Sequence, residues 1–446
     1  MHSNSDKPLS LFSLTWPLFV DFALHFLTAA INTFMISHVS YQGVAALSVG
    51  NMVFELAITL FSFVSIGASV VITQYLGSKN KSAASAVVYS SIGFNFLVGL
   101  VAAAAILLGS TTILNLMNLP AELMADGKLY LHIVGFCLIP EAMAMCLAAG
   151  MRAHGFTQQA MWVTLSMNII TFVGNLLLLY GWFGIPQMGV AGVAISTVAG
   201  RLVGVTIMVV LFVRYTGIKL HIPSILRPDT KMLKKVFHIG LPAAGENLSW
   251  MLQFMVVTSF VGLMGDKALA AQSLYFQICM FILLFGLSIG IGNEIIIGHM
   301  VGAKKLKAAE HQMYRALKLG LMVTTVVALV AAVLGPNLVA LFTDETDIAL
   351  LVGQLFILTL LMEPGRTFNL IVINALRASG DAKFPFFMGV FSMWCIAVPG
   401  AYVLGIHFEF GLIGIWAALT LDEWVRGLAM LWRWRSGRWQ SKSLVA

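Results

Sequence analysis

Charge is what this sequence has least of. Only 10% of its 446 residues are Asp, Glu, Lys or Arg, against 59% hydrophobic ones, and the mean hydropathy is +0.91. Soluble domains carry roughly 25% charged residues, so a water-facing surface is excluded for most of the chain. Signatures of chemistry are missing too. There is no phosphate-cradling GxxxxGK loop, so ATP is not hydrolysed on this chain, and neither HExxH nor CxxC occurs. No polar stretch is long enough to fold as a soluble catalytic domain, which argues against an enzyme and against any cofactor. Cysteine is scarce. Cys137, Cys146, Cys279 and Cys395 lie inside apolar runs at no metal-binding spacing and read as small core residues. Lys and Arg number 26 against 19 Asp and Glu, but they sit in short loops between apolar runs, a pattern that marks membrane topology rather than nucleic acid.

What is there is long apolar runs. At about 20 apolar residues per crossing, the chain predicts twelve spans, near 12–36, 48–76, 86–108, 128–150, 160–181, 189–213, 237–262, 272–298, 314–334, 350–374, 384–404 and 411–432. A barrel would show alternating strands instead. Asp21 and His25 interrupt the first run, and no small-residue cleavage site follows, so it reads as a retained helix rather than a signal peptide. Loops on one side hold Lys79, Lys81, Arg152, Arg214, Lys304, Lys305, Arg377 and Lys383, with Lys7 and Arg433 at the termini. The opposite loops hold Lys128 and Lys267, with the acids Asp344, Glu345 and Asp347. The alternation puts both termini in the cytoplasm.

The chain also repeats itself. Pro17 matches Pro242, Gly67 matches Gly292, Gly77 matches Gly302 and Arg152 matches Arg377, each at a spacing of 225 (242 − 17, 377 − 152). QYLGSKNKSAA (74–84) lies over HMVGAKKLKAAE (299–310), RAHG (152–155) over RASG (377–380), and GVAGVA (189–194) over GLIGIW (411–416). The expected architecture is all-α and integral to the membrane. It has an N-terminal six-helix lobe (1–213), a basic cytoplasmic linker (214–236), a C-terminal six-helix lobe (237–432) and a cytoplasmic tail (433–446). Parallel repeats of this kind are a transporter plan.

Ionised groups at mid-membrane cost about 2.5–3.5 kcal/mol even on insertion scales, so the intramembrane charges carry the information. Asp21 and Glu246 occupy equivalent places (246 − 21 = 225), each about ten residues past a cytoplasmic helix end, and are the candidate binders of H⁺ or Na⁺. His25, one turn on from Asp21, either passes a proton or makes an ordinary interhelical contact; Trp250 takes its place in the other half. Glu141 and Arg366 correspond across the repeat, and Glu363 stands three residues before Arg366, ready to pair with it. Arg201, Asp422, Glu423 and Arg426 read as neutralised packing networks. Glu294, near a cytoplasmic end, reads as a hydrated group. Asn175 and Thr197 are the polar residues that best complete an oxygen set around Asp21.

The duplicated six-helix plan, the QYLGSKN/HMVGAKK segments, LRASGD (376–381), MGVAGVAIST (188–197) and GLIGIW together resemble the multidrug and toxic compound extrusion (MATE) family over essentially the whole chain. That resemblance implies an outward-facing V of two lobes. It also implies antiport, with organic, often cationic and amphipathic compounds leaving as H⁺ or Na⁺ enters by alternating access. Lipid-linked saccharide flippases of the same broad fold are the first alternative, and a non-transporting membrane enzyme or receptor is the second. The family's first- and seventh-helix acids fall on Asp21 and Glu246. Its fifth-helix acid falls on Asn175, with Thr171 one turn earlier, and the tenth-helix acid of one branch falls on Arg366. A Na⁺ ion near Asp21 or Glu246 is therefore one expectation and a proton the other. A monomer in the cell inner membrane completes the expectation.

Overall fold

Backbone groups in lipid have no water to bond, so apolar runs of this length must satisfy their amides internally, as helices. The computed structural model describes residues 9–38, 41–339 and 345–445, and the regular structure within them is helical. Lys7 and Asp344, counted above among the loop charges, lie outside the described residues. The helices are α1 (Leu11–Ser37), α2 (Tyr41–Gly77), α3 (Lys81–Leu116), α4 (Met124–Gly135), α5 (Leu138–Ala153), α6 (Thr157–Leu178) and α7 (Gly189–Thr216). There follow the short α8 (Ile222–Leu226), then α9 (Thr230–Gly262), α10 (Asp266–Gly302), α11 (Leu306–Val339), α12 (Thr346–Ala378), α13 (Lys383–Ser392), α14 (Val398–Tyr402) and α15 (Gly411–Arg435).

Among the described residues, nine helices are long and apolar enough to cross a membrane. A tenth crossing follows if the segment Ala121–Gly135 continues into α5, from which it is bent by 47°. That bend falls at Phe136–Cys137, just ahead of Pro140. The expected spans 237–262 and 411–432 fall on α9 and α15, of 33 and 25 residues. Glu246, Asn247 and Gln253 in one, and Asp422, Glu423 and Arg426 in the other, make them less apolar than the nine. The chain is an all-α membrane protein. Pro399 lies in α14 between two wide π turns, Met393–Ala397 and Val403–His407.

The chain gathers into two compact units. The first is built from Val20–Ile72 and Asn80–Gly240, the second from Ser10–Phe19, Thr73–Lys79 and Leu241–Ala446. In the first, Phe61, Leu138 and Val193 anchor the core. Lipid tails are as apolar as leucine, so helices in a membrane associate by close approach at small residues. A Cβ on Gly67 would meet the Val236 carbonyl, and one on Gly93 the Ile225 carbonyl. The segment expected as a basic linker is packed rather than loose. Tyr89 donates to the Lys219 carbonyl at 2.7 Å, and Ser90 Oγ accepts from the Asp229 amide at 3.0 Å. In the second unit, Tyr275, Phe356 and Trp416 form one core and Met313, Ile371 and Trp434 another.

The 225-residue spacing reappears in the backbone. Lys79 and Lys304, neither of them glycine, both take left-handed φ, 61° and 58°. Gly155 and Gly380 do so at 86° and 98°. The matched turns therefore agree in backbone conformation as well as in residue type.

Candidate ion-coupling site

Asp21 lies on α1 with 2% of its surface exposed, and Glu246 lies on α9 with 6%. Each finds a guanidinium. Arg152, in the last turn of α5, places Nη2 3.1 Å from Asp21 Oδ2. Arg377, in the last turn of α12, places Nη2 2.7 Å from Glu246 Oε2. The two pairs have the same separation along the chain (152 − 21 and 377 − 246, both 131). Arg152 and Arg377 were counted from sequence as cytoplasmic-loop charges. The structure corrects this: both sit within helices, with side chains only 26% and 11% exposed. A signal was available, because the acid and the arginine repeat at the same 225 spacing; what was missing was the contact. Each arginine still has capacity, since Nε of Arg152 and of Arg377 is buried without a hydrogen-bond partner, as is Asp21 Oδ1. His25 stands 4.0 Å from Asp21 Oδ1 with its side chain 54% exposed, beyond hydrogen-bond reach.

A second pair of equivalent bridges has its charges exchanged. In the first unit Glu141 on α5 accepts from Arg201 on α7 at 2.7 Å, and the Arg201 guanidinium covers the Phe54 ring at 4.4 Å. In the second, Arg366 on α12 stands 3.6 Å from Glu423 on α15. The acid and base have swapped helices. Arg366 also makes the expected bridge to Glu363, at 3.0 Å. Arg426 holds Asp422 at 2.6 Å and Glu423 at 3.0 Å, while Asn369 donates to Glu423 and Ser392 to Asp422. The second unit therefore concentrates three carboxylates on two guanidiniums, and Glu363 Oε2 is left buried and unpartnered.

Asn175 does not join Asp21. Its Nδ2 donates to Asn32 Oδ1 at 2.8 Å and approaches Met35 Sδ at 3.9 Å. Asn32 is eleven residues beyond Asp21 on α1, roughly 16 Å along the axis at 1.5 Å per residue. Thr171 is buried against Gly200 of α7, where a Cβ would meet its Oγ1, and Thr197 is half-buried on α7. Asn168 donates to the Leu24 carbonyl at 3.2 Å. Leu24, Thr28, Asn32, Asn168 and Phe172 help line a largely apolar, open recess between α1 and α6. The oxygen set expected around one carboxylate is thus two separate places, an acid–arginine pair and an amide cluster.

Glu294, expected to be hydrated, is buried at 6% exposure. Cys395, expected in a core, is exposed, while the other three cysteines are buried. GLSIG (286–290) has the letters of a GxSxG nucleophile elbow, but it runs through the middle of α10. Ser288 there donates to the Leu284 carbonyl at 2.6 Å, with no strand-to-helix turn to expose it. Among the described residues, no group of three or more His, Cys, Asp or Glu gathers as a metal site.

Long apolar helices that bury paired charges make this a polytopic membrane protein, and comparison with known proteins gives its kind. The MatE family model matches residues 17–177 and 242–403, so the chain belongs to the MatE family. It is 40% identical over 441 residues to the uncharacterized transporter YisQ of Bacillus subtilis, covering 99% of this chain and 97% of that one. A probable multidrug resistance protein NorM of Thermotoga maritima is 23% identical over 441 residues, with 98% and 94% covered. Among solved structures, an outward-facing multidrug resistance MATE transporter of the MOP superfamily matches with a TM-score of 0.86 at 19% identity, covering 97% and 96%. A MOP superfamily transporter from Pyrococcus furiosus, noted for the reverse polarity of its binding pocket, matches with a TM-score of 0.86 at 18% identity over the same shares. The chain is a secondary transporter that moves small molecules across a membrane.

Proposed function

We propose that the protein is a twelve-span, two-lobe antiporter that exports organic, amphipathic compounds in exchange for inward H⁺ or Na⁺ by alternating access. The observation that carries this reading is the pair of arginine-held carboxylates at repeat-equivalent positions, Asp21 with Arg152 and Glu246 with Arg377. A carboxylate that is buried, and satisfied by a side chain able to swing away, gives a small cation something to displace. In one conformation the guanidinium neutralises the acid; in the other the incoming ion does. Only a ligand that binds the two states differently can shift their balance, and exchange of partners on one carboxylate supplies that difference. The multidrug assignment of the NorM relative supports the substrate class.

The test is ethidium efflux from proteoliposomes with a pH gradient and a sodium gradient imposed separately. Either Asp21→Asn or Glu246→Gln is expected to remove gradient-driven efflux while the protein still inserts. Full efflux in both single variants and in the double variant would sink the carboxylate mechanism.

A further inference from the structure

Gln74 lies in the last turn of α2 with 0% of its surface exposed, and its carboxamide is engaged at both ends. Nε2 donates to the Ala378 carbonyl at 2.7 Å. Oε1 accepts from the Leu444 amide at 2.8 Å and from Ser443 Oγ at 3.3 Å. One buried side chain therefore ties the C-terminal tail to the end of α12. Three further contacts fasten the same region. Gly380, at φ 98°, lies so close to the tail that a Cβ there would meet the Lys442 carbonyl. Arg433 Nε binds Asp381 at 2.7 Å. Trp439 stacks on Trp434 with centroids 4.1 Å apart and planes 8° from parallel, its Nε1 donating to the Trp434 carbonyl at 2.9 Å. The residue before Ala378 is Arg377, the partner of Glu246. All of these residues belong to the second unit.

We infer that Gln74 is a positioning residue for Glu246, and that the C-terminal tail, by closing over Gln74, holds Arg377 on that carboxylate. The contacts run in one line: tail amide to Gln74, Gln74 to the Ala378 carbonyl, and the adjoining Arg377 to Glu246. A guanidinium held in place competes with the driving cation for the carboxylate. When the end of α12 is released, the competitor is weakened and the cation binds more tightly. The tail is then an adjustable element of ion affinity rather than an inert end, and its amides are where a cytoplasmic partner or a truncation would act.

The inference rests on the coupling role proposed above for Glu246, and the experiment separates the two. Full-length protein, Gln74→Met, Gln74→Glu and a chain ending at Lys442 are reconstituted. Ethidium efflux is then followed against the concentration of the driving ion. Gln74→Met and the shortened chain are expected to lower the half-saturating ion concentration about five-fold, the worth of one neutral hydrogen bond of about 1 kcal/mol. The maximal rate and the KM for ethidium should stay unchanged. Gln74→Glu keeps the acceptor for Leu444 but loses the donor to Ala378, and should behave like Gln74→Met. In an Arg377→Gln background none of the three should add a further shift, because they act through that arginine. Near-UV circular dichroism of the Trp434–Trp439 stack reports that each variant is folded. An unchanged half-saturation in the folded variants, or shifts that add in full to Arg377→Gln, overturns the inference. Coupled efflux that survives Glu246→Gln overturns the reading beneath it instead.

Discussion

Arg152 and Arg377 decide how much each buried carboxylate costs. Breaking a buried pair by removing one partner leaves an uncompensated charge, a loss of about 3–5 kcal/mol in a fully buried setting. Arg377 is the better shielded, 11% exposed against 26%, so Arg377→Met should lower thermal stability in detergent by more than Arg152→Met does. Adding Asp21→Asn to Arg152→Met should recover most of the loss, since both charges then leave together. Equal losses for the two arginines, or no recovery in the double variant, would show that these bridges do not set stability. Thiol chemistry checks burial at the same scale. An apolar maleimide should modify one cysteine in the folded protein, Cys395, and Cys395→Ser should abolish labelling.

Helix ends and helix crossings carry the next level. Gly380 stands in the left-handed region that L-residues enter at roughly 1–2 kcal/mol, and the Lys442 carbonyl occupies the space a Cβ needs. Gly380→Ala should therefore cost more than Gly217→Ala, whose site also has positive φ but no atom within 4 Å of a Cβ. Comparing the two melting temperatures isolates the price of the close approach from that of the dihedral. At a crossing, Gly67→Val should overpack against the Val236 carbonyl, a loss of about 1–3 kcal/mol, read as reduced yield of monodisperse protein. The stretch from Lys383 to His407 shows another device. Its two π turns flank Pro399, which has no amide to donate, and widening the helix there lets the neighbouring carbonyls find other partners.

At the scale of the whole molecule, the basic residues predict an orientation. Reporter fusions after Leu444 and within the loop at Gly265 should fall on opposite sides of the membrane, the former cytoplasmic. Fusions that report the same side would overturn the assignment. Much of this protein follows from sequence alone. Helical class, the apolar spans and the 225-residue repeat depend on local composition and period, and one linear string carries both. So does the Glu363–Arg366 bridge, because three residues on a helix are neighbours by geometry. Tertiary structure alone decided the rest. Depth along a helix can be counted from its end, but which way a side chain points, and which helix it meets, cannot. That is why Asn175 parted from Asp21 and joined Asn32, why two arginines assigned to loops became the partners of the buried acids, and why the Glu141–Arg201 bridge has a counterpart with its charges exchanged. Contacts between distant segments are made by packing, and packing is not written in the spacing of any one of them.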